Sequence, residues 1–172
     1  MKKMIRIGVL AIIFFSHASY TKLADKDTYF SLVDKSDGQL KVYEGDQWLV
    51  SYPVVFGNSD RGDKLMQGDR RTPEGTFHIM NKYKHAKWSR FMMIDYPNKE
   101  SFEKFNQRKA QGLIPPNAQI GGAIGIHGTW PHEDFAIDNK VNWTEGCVST
   151  KNLYIEKLFE VIPVGTTVII QQ

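Results

Sequence analysis

The sequence predicts a mainly β fold, a single β-rich domain with one or two short helices. Three observations carry that expectation. Short segments rich in β-branched and aromatic residues nearly alternate apolar with polar positions, Gly/Asp clusters punctuate them, and only two stretches have helical spacing.

The first segment, 29–33, reads Tyr-Phe-Ser-Leu-Val and is closed by the turn cluster Ser36-Asp37-Gly38. Residues 40–43 alternate, and Glu44-Gly45-Asp46-Gln47 turns the chain into a third strand over 48–56, so the opening reads as a β-meander. Residues 57–75 are rich in Gly, Asp and Arg and poor in apolar side chains, which predicts a long surface loop outside the core. Strands are expected again at 76–80 and 91–96. Between 101 and 111 a charged stretch carries Phe102 and Phe105 at helical spacing and stops before Gly112, the pattern of a short amphipathic helix. Residues 124–127 form a short apolar strand that runs into His127. Asn152 is placed to cap a last helix through Leu153, Ile155, Leu158 and Phe159, and 168–170 return as a closing strand.

The first 18 residues have the three parts of a secretory signal: basic Lys2, Lys3 and Arg6, an apolar run over 7–15, and Ser16-His17-Ala18 as a small-x-small cleavage site. That run is too short for a permanent span, so removal before Ser19 is expected, with no transmembrane anchor left behind. Residues 19–28 read as a short polar leader and 29–172 as one domain. Three of the 22 Lys+Arg and none of the 19 Asp+Glu lie in the signal, so the remainder is balanced. A balanced chain without a basic stripe is a poor partner for nucleic acid.

Cys147 is the only cysteine, so no internal disulfide forms. An idle thiol in an exported chain is an oxidation liability, which favours a functional Cys147 over a small buried hydrophobe. Thiol catalysis needs a thiolate, a base, and donors for the oxyanion of a tetrahedral intermediate. His127 is the natural base and Cys147 the nucleophile. Gly146 leaves room for a substrate carbonyl to approach the amides around Gly146 and Cys147. If His127 polarises the thiol, its pKa should fall below the free value of about 8.5.

His127-Gly128-Thr129 and Thr144-Glu145-Gly146-Cys147-Val148, with sixteen residues (128–143) between His127 and Thr144, together resemble the signature of the L,D-transpeptidase catalytic domain, the YkuD type. Gly68-Asp69-Arg70-Arg71-Thr72-Pro73-Glu74-Gly75-Thr76-Phe77 is similar to that family's "GDxRTPEGxF" element. Tyr96-Pro97-Asn98 resembles its "YPN" strand end, and the stretch from Val161 to Val168 its "VPxGTxV" tail.

The resemblance implies a β-sandwich-like fold and an enzyme of bacterial peptidoglycan in the periplasm or cell envelope, needing no cofactor. Its cysteine would attack the bond between the third stem residue, usually meso-diaminopimelate, and the terminal D-Ala. The resulting thioester would pass to an amine on a neighbouring stem, to a wall-attached lipoprotein, or to water, the last giving an L,D-carboxypeptidase or amidase. The carbonyl of Gly128 would fix the tautomer of His127. Glu145 and Ser149 depart from the commoner histidine and arginine, and Glu145 is expected to face away from the sulfur.

Trp130 and Trp143 bracket the loop between base and nucleophile, and with Thr144, Tyr96 and Arg71 they are the candidate substrate contacts. His78, His85 and His132 lack HExxH or any ligand spacing, so no metal is expected. A non-catalytic wall-binding module would not need both His127 and Cys147.

Overall fold

The computed structural model describes residues 29–172; the signal and leader lie outside the described residues. Eight strands form one continuous sheet in the order β3-β2-β1-β8-β4-β5-β6-β7. The strands β1 (Tyr29–Asp34), β2 (Gln39–Glu44) and β3 (Gln47–Pro53) make the expected antiparallel meander. The last strand, β8 (Thr167–Gln171), closes no edge. It inserts centrally, parallel to β1 and antiparallel to β4 (Gly75–His85).

β4 is the corner of the molecule. Its first four residues, Gly75 to His78, pair with β8, whereas Ile79 to His85 pair with β5 (Ser89–Ile94), and the register shifts between Ile79 and Asn81. A strand that changes partners through a bulge bends the sheet and folds its two halves over a shared interior. Beyond β5 lie β6 (Gly125–His127) and β7 (Val148–Ser149), paired in parallel with Ile126 opposite Val148 and His127 opposite Ser149.

One buried cluster joins the halves: Val33, Leu40 and Val168 from one side meet Ile94, Ile126 and Val148 from the other. Helix α3 (Asn152–Val161) contributes Ile155 and Leu158 to it. Helix α1 (Lys99–Ala110) buries Phe105 and leaves Phe102 exposed. It starts two residues earlier than its spacing suggests because the Asn98 side chain accepts the Ser101 N–H at 3.0 Å. A third helix, the single turn α2 (Phe135–Asp138), has too few residues to show a period in the sequence.

Two expectations about this framework are corrected. Asn152 does not cap α3; it is the first helical residue, and its N–H donates to the Asp134 carboxylate at 3.0 Å while its side-chain amide donates to Thr129 Oγ1 at 3.1 Å. The knot ties the segment after His127 to the starts of α2 and α3. Nor is 57–75 only a surface loop, since Gly57, Lys64, Thr72 and Pro73 are buried. Its polar atoms satisfy one another. Asp69 accepts from Lys64 Nζ at 2.7 Å and from the amides of Leu65, Met66 and Arg71 at 2.6, 3.1 and 3.0 Å. Buried Lys35, just past β1, reaches Glu74 at 2.6 Å and clamps the loop to the sheet.

Candidate active site

His127 ends β6 and Cys147 immediately precedes β7, so pairing of these short parallel strands brings two residues far apart in sequence to one place. Both line a cavity of about 390 Å³, whose other walls include Tyr83, Trp88, Phe91, Met93, Trp143 and Glu145.

His127 is 1% exposed and jacketed by aromatic rings. Trp88 and Phe91 stack on it at centroid distances of 4.6 and 5.6 Å, and Trp143 meets it edge-on at 5.3 Å. Its Nδ1 lies 2.7 Å from Gly128 O, an acceptor with no proton to give, so Nδ1 carries the hydrogen and Nε2 is the basic nitrogen. Burial pushes the imidazole down to about 4, against the opposing pull of the Gly128 carbonyl.

The Cys147 thiol donates to Ala123 O at 3.7 Å. Burial pushes it up to about 11, outweighing the amide of Gly125 and the charge of Lys64, which both favour the thiolate. The expectation of a depressed thiol pKa is therefore corrected. Desolvation thus disfavours the charged form of each group, and the lowered imidazole and raised thiol both favour the neutral pair.

The turn before the nucleophile is held from within. Thr144 Oγ1 donates to Cys147 O at 2.8 Å and accepts the Gly146 N–H at 3.2 Å, so this hydroxyl pins the turn, while the residue also lines the cavity. Gly146 has φ +124°, and a Cβ there would lie 2.7 Å from Arg71 O and 3.4 Å from Lys64 Nζ. Glycine is thus required by its backbone and by the folded 57–75 loop, beyond any room needed for an incoming carbonyl.

The remaining expected contacts divide. Trp143 lines the cavity. Trp130 stands behind its wall, edge-on to Trp88 at 6.2 Å with Lys87 over its face at 5.2 Å. Tyr96 is a core residue, 8% exposed, whose hydroxyl donates to Ile120 O at 3.2 Å; burial raises its pKa. The Arg71 side chain pairs with Asp60 on the surface, and only its carbonyl meets the Gly146 turn. The Glu145 side chain, 79% exposed, lies 3.4 Å from Arg70 Nε while the residue borders the cavity. Sequence reasoning missed Lys64 and Trp88. The Trp in the hairpin-tip string Lys84-His85-Ala86-Lys87-Trp88 is a signal for the second, since a large aromatic in a short connection has a wall to build.

The YkuD L,D-transpeptidase catalytic domain model matches residues 28–170. The chain belongs to this family. Solved structures share its fold at low identity. The Campylobacter jejuni helical cell shape determining protein Pgp2 and Bdellovibrio bacteriovorus Bd1075 are each 22% identical with TM-scores of 0.59. In both cases 84% of this chain matches 48% of the other. A cysteine-to-serine mutant of Enterococcus faecium L,D-transpeptidase is 18% identical with a TM-score of 0.54, over 84% of this chain and 50% of that one. The chain therefore spans about half the length of these proteins. Among curated proteins none matches it.

Proposed function

We propose that this YkuD-family domain is a peptidoglycan L,D-transpeptidase working through a thioester on Cys147. The observation that carries the reading is that the single cysteine and a histidine whose tautomer is set by Gly128 line the same apolar cavity. Because both groups are neutral at rest, His127 acts as a general base at the moment of attack rather than as a preformed imidazolium. Cys147 Sγ adds to the carbonyl between the third stem residue and D-Ala, and its proton passes to His127 Nε2. With the Gly146 amide engaged by Thr144, the oxyanion falls to the Cys147 amide. The departing D-Ala nitrogen takes the proton from His127, leaving the thioester. A neighbouring stem's amine then attacks, losing a proton to His127, and restores the thiol. Trp143, Trp88, Phe91 and Met93 form the apolar wall against which the stem lies. The reaction belongs in the cell envelope, with residues 1–18 directing export.

Incubation with a disaccharide-tetrapeptide, followed by mass spectrometry, tests this reading. Release of D-Ala with a cross-linked dimer is the expected result. A tripeptide without dimer would assign water as the acceptor, and intact substrate would overturn the proposal.

A further inference from the structure

We propose that Ser149 is a positioning residue for His127, holding the Gly128 carbonyl in the orientation that fixes the imidazole tautomer. This rests on the assignment of His127 as the base. Two hydrogen bonds converge on one oxygen. Gly128 O accepts from His127 Nδ1 at 2.7 Å and from Ser149 Oγ at 3.2 Å, using both of its lone pairs.

The serine is itself held on both sides. It is fully buried, sits opposite His127 in the β6–β7 register, and exchanges two main-chain hydrogen bonds of 2.9 Å with Val55. Its hydroxyl is thus delivered from a rigid position.

The peptide it grips needs holding. Gly128 lacks a Cβ to restrict its rotation, and it cannot acquire one, because a Cβ there would lie 2.8 Å from Trp88 O and 3.1 Å from Ile155 Cγ2. A side chain at 149 supplies the restraint that position 128 cannot supply for itself. The consequence is chemical. Since His127 is neutral at rest, its tautomer decides whether Nε2 carries a lone pair or a hydrogen, and only the lone pair can take the Cys147 proton.

The test compares Ser149→Ala with Thr150→Val. Thr150 is equally buried, but its hydroxyl donates to Pro53 O at 2.8 Å, so its loss removes a neighbouring buried hydroxyl without touching Gly128. Imidazole ¹⁵N NMR of the labelled protein reads the tautomer directly and needs no substrate. Wild type and Thr150→Val are expected to show the Nδ1–H form. Ser149→Ala is expected to show a mixture, with acylation of Cys147 by a carbapenem slowed about tenfold or more. A wild-type tautomer in Ser149→Ala, or an unfolded Ser149→Ala beside a folded Thr150→Val, would overturn the positioning role. A wild-type protein that takes no adduct at Cys147, yet changes tautomer on Ser149→Ala, would overturn the nucleophile assignment and uphold the positioning role.

Discussion

His127 is buried and Cys147 partly buried in the wall of an apolar cavity, and the free energy of that desolvation opposes the charge each would carry in the reaction. The pH dependence follows from two shifts of opposite direction. His127 is lowered from 6.5 to about 4, so the unfolded chain binds the extra proton first and stability is lost as pH falls from about 6.5 through 4. Cys147 is raised from 9.0 to about 11, so the unfolded chain releases its proton first and stability is lost as pH rises from about 9 through 11. Melting temperatures should plateau between those limits, and His127→Phe should flatten the acid limb. Alkylation of resting Cys147 should titrate well above the range of a free thiol. Cys147→Ser and His127→Ala should each abolish carbapenem adduct formation while circular dichroism stays native, and the double variant should lose no more. Glu145→Ala, which removes an exposed side chain, should leave acylation within about tenfold of wild type. The residue types at 127, 146 and 147 were legible in the sequence. The charge state of His127 was not, because its desolvation is set by Trp88 and Phe91, which reach it only through the β4–β5 hairpin.

Among the elements, the 57–75 loop shows why composition misleads. Its many polar side chains predict solvent exposure, yet Asp69 gathers four donors inside the loop and the Arg71 carbonyl packs on the Gly146 turn. Burial alone would raise the Asp69 carboxyl, but the hydrogen bond from Lys64 and those from the three amides hold it below the ordinary value. Asp69→Ala strands the buried Lys64 and should cost about 3 kcal/mol in urea denaturation, with faster hydrogen exchange confined at first to the loop. Gly146→Ala imposes both a left-handed φ on a side chain and a clash with Arg71 O. It should destabilise by at least about 2 kcal/mol and abolish the carbapenem adduct. The two longer helices were anticipated, α3 from apolar spacing over several turns and α1 from the single Phe102/Phe105 pair, of which only Phe105 is buried. The start of α3 was not, because its capping carboxylate, Asp134, lies 18 residues upstream and meets it only in the folded chain.

At the scale of the whole molecule, a single core crosses the bend at β4, so the two halves of the sheet should not melt separately. Far-ultraviolet dichroism and tryptophan fluorescence should give coincident unfolding curves. Ile155→Ala, which empties a fully buried position between α3 and the sheet, should lower stability by about 3 kcal/mol without changing that coincidence. The opening meander was legible because its partners are neighbours in sequence and its turns announce themselves. The position of β8 was not, since an apolar triplet such as Val168-Ile169-Ile170 says that a strand is buried without saying between which others.

That placement bears on how the chain is made. During synthesis β1 and β4 emerge long before the strand that lies between them; each pairs early along one edge, with β2 and with β5, but its other edge stays open until residues 167–171 are available. The cysteine, the histidine and every wall of the cavity precede those five residues in the chain. Chains truncated before position 167 should consequently remain protease-sensitive, and restoring the last strand should be what confers resistance.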